Sequence, residues 1–509
     1  MIFLKNSSSK TRKFLGIIEK KWLIGIGGLA IAALVFFIIL HGKAQGNLTF
    51  RINHFQLNFD PSTLSDIESR KVATMLHAGL IAVDIDGNIY PRLAESWTKT
   101  DDCTWVFKLR KNVRFSNGEP VDAHSVVRSL SWAMQNTHLY SWCLSSIDHI
   151  VHENGTIECT GLSVLDDFTV EIREALPVPW FLESLDSPAG WIIGETDKEP
   201  GAWGMRPGIG PFKIDDMKTD SEITLIARND GAFTPLTDRV TFRAIADSTV
   251  AAQMLRQGNL DLLHVESPDT LTFFNKENIK LMYHDFQRYR VVIISRHALQ
   301  NKGFTAKQIQ AFIGMYSENI NRERISVLSN GIGLPMRTAF PPAAKLKEYV
   351  PFSEHIIEDF PNAQLTLLTT NDAYADLIAS ALPQKVKGVE IHYRAIESSL
   401  LMNALFSGEA DLISMLIDAT SSAPIFWASF WTPNSSFVTF GTPLSVLEGL
   451  NFTTEQDITT AAEAVDQFGN WAGVLQEKGI LAVSQRLDGW RLTPSGQICY
   501  EGVFIATQD

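Results

Sequence analysis

Two stretches of this chain, Val250–Val265 (VAAQMLRQGNLDLLHV) and Ser399–Leu416 (SLLMNALFSGEADLISML), follow one scheme about 150 residues apart. Each has apolar residues at helical spacing, then a glycine, two further residues, Asp-Leu, and an apolar run of strand type. Gly258 and Gly408 fall where a helix ends in a residue of positive φ, and Asp261 and Asp411 open the strands after them. A helix with one apolar stripe and a strand that is apolar throughout must both bury against a mixed core. Two such units predict two α/β lobes of similar construction, a layout that holds a ligand in the crevice between them. Any α/β protein can repeat helix, glycine and strand, so the echo alone does not decide for two lobes.

The rest of the body is consistent with it. LTFRINHF (48–55) reads as a strand and NFDPST (58–63) as the turn after it. Residues 65–80 read as a helix, with Ser65 as N-cap and Gly79 near its end. Residues 81–90 read as a hairpin closed at Asp86-Gly87, residues 104–115 as a strand, and residues 121–134 as a helix started by Pro120 and Asp122.

The 509 residues are too many for one core, and two to four domains are expected. Charge is unevenly placed. The chain carries −13 overall, but its first 45 residues are net +6, so the remainder carries −19. An acidic body is a poor partner for nucleic acid or anionic lipid, and none is expected. Basic residues 1–21 precede Trp22–Leu40, an uncharged run close to the ~20 residues that cross a bilayer as a helix. The basic lead stays in the cytoplasm, so the body is expected on the far side. Two readings stay open: an uncleaved anchor, which the length of the run favours, and a cleaved signal peptide, with Gly42 and Ala44 at workable positions. No cysteine follows the run until Cys103, which disfavours a lipoprotein.

Catalytic signatures are missing from the sequence. Asp84-Ile-Asp86-Gly87 lacks the spacing of a calcium loop, and Gly208-Ile-Gly210-Pro211 lacks the third glycine or the Lys of a nucleotide loop. There is no HExxH and no GxSxG, and the twelve histidines include no i, i+4 pair. Asp101-Asp102 and Asp166-Asp167 read as solvated turns. No enzyme, no cofactor and no metal are expected. Cys103, Cys143, Cys159 and Cys499 have no metal-like spacing; a Cys143–Cys159 disulfide and free thiols both stay open. Trp427 and Trp431, with Phe426, Phe430 and Phe437, form an aromatic cluster whose default role is packing.

IYPRLAESWTKTDDCTWVFKLRKNVRFSNGEPVDAHSVVRSLSWAM (89–134) closely resembles the family 5 extracellular solute-binding proteins, which include dipeptide and oligopeptide receptors of ABC importers. The resemblance rests on Pro91, Leu93, Ala94 and Trp97; on Thr104, Phe107, Leu109 and Arg110; and on Phe115, Gly118, Pro120, Ala123 and Val126. NFDPST, RPGIGPFKI (206–214), LIARND (225–230), residues 303–342 and RLDGWRLTPSG (486–496) are similar to further family segments, so it covers about residue 48 to the C-terminus.

This resemblance implies a type II periplasmic-binding fold, α/β, with two lobes joined by a hinge and an extra domain inserted in the first. On this chain, 1–21 is the basic cytoplasmic lead and 22–40 the transmembrane anchor or signal helix. Lobe I is discontinuous, 47–80, 206–290 and 476–509. The inserted domain II is 81–205, and lobe II is 291–475.

The resemblance also implies an externally placed, monomeric receptor. It would capture a peptide-like solute (a di- or oligopeptide or a peptidoglycan-derived peptide) and deliver it to permease subunits in the cytoplasmic membrane. Alternatives are a non-peptide solute (haem, a metal chelate, a sugar) on the same fold, or an anchored sensor or assembly module without transport. The implied binding residues are Ser414, Met415, Leu416, Ile417, Asp418 and Thr420, with Asn58 on the first-lobe turn and Ser295. There are departures. Thr420 stands where the peptide receptors carry an amine-binding Asp, and Asp418 lies two residues early on the same strand face. Ser295 stands near a usual strand Asn, and Gln308 near a usual Arg.

Overall fold

The computed structural model describes residues 47–418 and 471–505, apart from 196–204, 337–358 and stretches of one to five residues elsewhere. Residues 1–46 lie outside this set, and so do Thr420 and the aromatic cluster at 426–437. Within it, no helix is long and apolar enough to cross a membrane.

Among the described residues, a twelve-stranded mixed sheet forms the frame. Across it, in spatial order, lie Phe212–Lys218, Glu222–Ala227, Arg239–Ala244, Asn47–Ile52, Leu262–His264, Trp471–Ser484, Ile279–Ile294, Leu412–Asp418, Gln364–Thr370, Val389–Ile396 and Lys385–Val386. Gly333–Pro335 pairs off this path with Trp471–Ser484. Strands 47–52, 239–244 and 262–264 are mutually parallel on one side, as are 364–370, 389–396 and 412–418 on the other. The two long antiparallel strands, 279–294 and 471–484, join the two sets.

The register decides which ends of these strands meet. His264 pairs with Leu481, which pairs with Met282, while Leu262 lies two residues nearer the start of the long strand. Asp418 pairs with Arg288 and Leu412 with Ile294. Strand 262–264 therefore runs toward the middle of strand 279–294 from one side, and strand 412–418 from the other. Both parallel sets aim their carboxyl ends at the same middle zone. There the long strands shift register between Asp285 and Arg288, and again between Arg290 and Val291. Such breaks bend a ladder locally.

Three apolar cores surround this frame. One holds strand 47–52 and the helix Ile67–Leu76, with Leu48, Phe50, Val72, Met75 and Phe242 buried. A second, built from residues 78–232, packs helix Ala123–Asn136 on the antiparallel sheet 94–99, 104–109, 169–173 and 162–166. The third packs helix Ala306–Glu318, through Ile309, Phe312, Ile313 and Tyr316, against the long strands and the second parallel set.

The echo is built as read where it is described. Helix Ser248–Arg256 is followed by Gly258 at φ 76°, and strand Leu262–His264 follows Asp261. Gly408 lies outside the described residues, but Asp411 opens strand Leu412–Asp418 as expected. The hairpin at Gly87 (φ 82°) and the Asp122 cap, which accepts from Ser125 N at 2.8 Å, also form.

Two boundaries differ. The helix expected over 65–80 ends at Leu76, because Ala78, Gly79 and Leu80 give their carbonyls to Ile192, Leu93 and Ala94. Gly79 is a close-approach residue, since a Cβ there would lie 2.9 Å from the Gly190 carbonyl oxygen. The strand expected over 104–115 stops at Leu109. Arg110 turns to the Leu93 carbonyl, and Asn112 takes φ 66°. The thiols of Cys103, Cys143 and Cys159 are free, so the disulfide option between Cys143 and Cys159 is set aside. Cys159 Sγ instead lies 3.3 Å from Met134 Sδ.

Candidate functional site

In open α/β sheets, ligands sit in the crevice outside the carboxyl ends of the parallel strands. Here two sets of carboxyl ends converge, so the candidate site is the zone flanking the middle of the long strands. On one side it is bordered by the chain that leaves Ile52 and turns at Leu57–Ser62. On the other it is bordered by the end of strand 412–418.

The turn is held by its own side chains. Asn58 Oδ1 accepts from Asp60 N at 3.0 Å, and Asp60 Oδ1 accepts from Ser62 N at 2.9 Å and Ser62 Oγ at 2.7 Å. Asn58 N donates to Ser69 Oγ at 2.9 Å, tying the turn to helix 67–76. Short polar side chains bonding two residues ahead are what make this segment a turn. The side-chain carbonyl of Asn58 is thus committed to shaping the site.

The expected strip 414–418 differs in depth along the strand. Ser414 lies opposite Val292 and beside Thr369 and is wholly buried, with no hydrogen-bond partner for its hydroxyl. Met415 and Leu416 are half-buried, on opposite faces of the strand. Ile417 and Asp418 are placed by backbone register only, against Tyr289 and Arg288. Ser295 caps helix Arg296–Asn301, its hydroxyl accepting from Ala298 N at 3.2 Å, and its N–H donates to the Asp411 carbonyl. Gln308 completes a capping box with Thr305 at the start of helix 306–318. Two of the expected polar residues, Ser295 and Ser414, are therefore engaged in a helix start or buried in the sheet.

Behind the turn lies a set of groups that sequence reading missed. Arg206 Nε is 3.8 Å from Asp60 Oδ1, and the Arg206 guanidinium lies 4.4 Å over the Trp132 ring. His77 stacks on Trp191 at 5.0 Å, and neither ring nitrogen has a partner. Burial lowers its pKa to about 4, against the pull of Asp60. Nearby in sequence to Trp191, buried Asp186 accepts from Val83 N at 2.7 Å, and burial raises its pKa to about 6. Asp186 is a single carboxylate with no sequence pattern to find it by, while Asp60 lies in the NFDPST turn that the sequence did mark.

The glycines of RPGIGPF and the arginine of ARND also acquire roles. A Cβ on Gly208 or Gly210 would come within 2.2 Å of the Leu76 carbonyl oxygen or 2.4 Å of the Met75 one, so only glycine lets this loop lie on the helix end. Arg228 then gathers the carbonyls of Gly208 at 3.1 Å and Arg114 at 2.7 Å, binding the second core to the first. Among the described residues, no cluster of three His, Cys, Asp or Glu is placed to hold a metal.

Residues 88–304 match the family model described as bacterial extracellular solute-binding proteins, family 5, middle. Residues 88–304 are thus a segment of the family 5 solute-binding type. The chain is 28% identical over 229 residues to the periplasmic oligopeptide-binding protein OppA of Salmonella typhimurium, covering 42% of this chain and 41% of that one. It is 30% identical over 246 residues to the nickel-binding periplasmic protein of Escherichia coli, covering 46% and 44%. These matches span less than half the length of each relative. The whole fold is similar to that of OppA from Burkholderia pseudomallei, with a TM-score of 0.74 at 17% identity over 91% of this chain and 99% of that one. The resemblance read from residues 89–134 is therefore borne out, and of the fold it implied the family 5 type with mixed α/β content and several sheets is present.

Proposed function

We propose that this chain is the solute-capturing component of an ABC importer, holding a peptide-like solute outside the cytoplasmic membrane and passing it to permease subunits. The observation that carries this is the register of the long strands. It brings the carboxyl ends of two parallel strand sets to one bent zone, which suits a crevice that closes on a ligand by hinge motion. The oligopeptide-binding relative and the matched family segment support the class of solute. The absence of catalytic motifs in the sequence, and relatives that are binding proteins, support capture without turnover.

In this reading the bodies are lobe I (47–80, 206–290, 476–509), domain II (81–205) and lobe II (291–475), preceded by an exported or anchoring segment 22–40. The core of residues 78–232 supports domain II, and the core around Leu48, Phe50 and Phe242 supports lobe I, while residues 251–274 of lobe I pack together with lobe II residues in the third core. The solute would lie between the 57–62 turn and the end of strand 412–418, with Met415, Leu416, Ile417, Asp418 and Thr420 on the lobe II side and Asn58 shaping the lobe I side. An extended peptide held largely by its backbone would tolerate many side chains.

The nickel-binding relative favours a second reading, in which the same fold holds a metal chelate. Native mass spectrometry of the chain purified from its own cells decides between them. A family of bound masses that fragment into amino-acid residues is expected; a metal-bearing or sugar mass instead would replace the peptide reading.

A further inference from the structure

Arg206 stands where two cores meet. Its neighbour Met205 packs against the lobe I core, and Trp132, under its guanidinium, packs against the core of residues 78–232. The 3.8 Å between its Nε and Asp60 Oδ1 is too long for a hydrogen bond. That Nε is buried with no hydrogen-bond partner. The Asp60 oxygen it approaches already accepts twice from Ser62. The Arg206 side chain keeps 17% of its surface exposed, so it is not fully sealed from solvent. Through Asp60 it stands beside the turn that follows strand 47–52.

A guanidinium desolvated on its Trp face, with a buried donor unmet, is incompletely neutralised by a carboxylate at this distance. Its planar fork matches a second carboxylate in two parallel bonds, and a dry wall strengthens that attraction. We propose that Arg206 is an anion-recognising residue of the crevice, its outer edge taking a carboxylate of the captured solute while Trp132 backs it. This inference rests on the reading of the chain as a solute receptor. The competing role is structural only, a bridge between Asp60 and Trp132.

The test uses the full chain and a matched pair of probes, tri-alanine and tri-alanine amide, titrated by calorimetry into wild type, Arg206→Gln and Trp132→Leu. Wild type is expected to prefer the free acid by about tenfold or more, and Arg206→Gln to remove most of that preference with little change in amide affinity. Trp132→Leu keeps the charge but not its backing, and should reduce the preference several-fold; it also serves if Arg206→Gln does not fold. Parallel loss of acid and amide binding, or an acid preference that survives in Arg206→Gln, would overturn the proposal. Should wild type bind neither peptide, the peptide reading is what fails. Thermal shift with succinate against chloride at equal ionic strength then judges the arginine alone: stabilisation in wild type that Arg206→Gln lacks supports the anion site, and equal responses overturn it.

Discussion

Asp261 and Asp411 occupy the same position in two copies of one unit. Each carboxylate accepts the backbone N–H of a threonine in the neighbouring parallel strand, Thr49 at 2.8 Å and Thr366 at 2.7 Å. Each N–H returns a bond to that threonine's carbonyl, and each carbonyl accepts from a serine at the end of a long strand, Ser484 or Ser295. Each carboxylate also meets a cation, Arg486 for Asp261 and Lys302 for Asp411. The aspartate staples the start of its strand to both neighbours, which is why both repeats carry it.

Removing either staple should therefore destabilise its lobe. Asp261→Ala strips a fully buried acceptor from Thr49 and from Arg486, and is expected to cost about 3 kcal/mol. Asp411→Ala, whose carboxylate is slightly more exposed than that of Asp261, should cost about 2 kcal/mol. Urea unfolding measures both; a loss below ~0.5 kcal/mol at Asp261 would show that the bonds are dispensable.

Buried His77 and Asp186 make opposing contributions to acid stability. His77, lowered from 6.5 to about 4, stabilises the fold above 6.5 and loses that contribution as pH falls through about 4. Asp186, raised from 3.8 to about 6, contributes stability below 3.8 that is lost as pH rises through about 6. Between pH 6 and 4 the two slopes cancel. Asp186→Asn should then unmask the histidine: stability relative to wild type should fall by about 1.4 kcal/mol per pH unit on acidification through this window. His77→Phe should tilt the other way. Chemical unfolding at pH 4, 5 and 6 reads the tilt, and unchanged profiles in both variants would refute the coupling.

Gly210→Ala should be among the most damaging small substitutions. The added methyl would meet backbone atoms of Met75 and Leu76 at 2.4 Å, and backbone cannot step aside as a flexible side chain does. A loss of about 3 kcal/mol is expected. Alanine at exposed Gly258, where nothing lies within 4 Å, meets only the strain of its positive φ and should cost about 1 kcal/mol. Thermal melts of the two variants test this order.

Asp418 ends its strand at the crevice zone, in register with Arg288. If it holds a peptide amine, Asp418→Asn should weaken a free-amine peptide by about tenfold to a hundredfold and leave its N-acetyl form unaffected. Equal affinity of wild type and variant for the free amine, by calorimetry, removes Asp418 from the site.

Local chemistry was open to reading along the chain. The helix, Gly258, Asp261 and strand succession follows from periodicity and positive φ, and the hairpin at Gly87 and the cap at Asp122 from turn and cap preferences that act within a few residues. The segment 89–134 likewise pointed to family and fold. Tertiary structure alone decided the rest, because the partners lie far apart in sequence. Arg486 reaches Asp261 across 225 positions, and Arg228 reaches the Arg114 carbonyl across 114. Helix 67–76 stops where it does because of carbonyls claimed by Ile192, Leu93 and Ala94. Ser414 and Ser295 read as binding residues by position, yet the first lies buried between Val292 and Thr369 in the sheet and a helix start engages the second. Arg206 had no pattern to mark it, since its meaning comes from Trp132 and Asp60, which only the packing of two cores brings to its side.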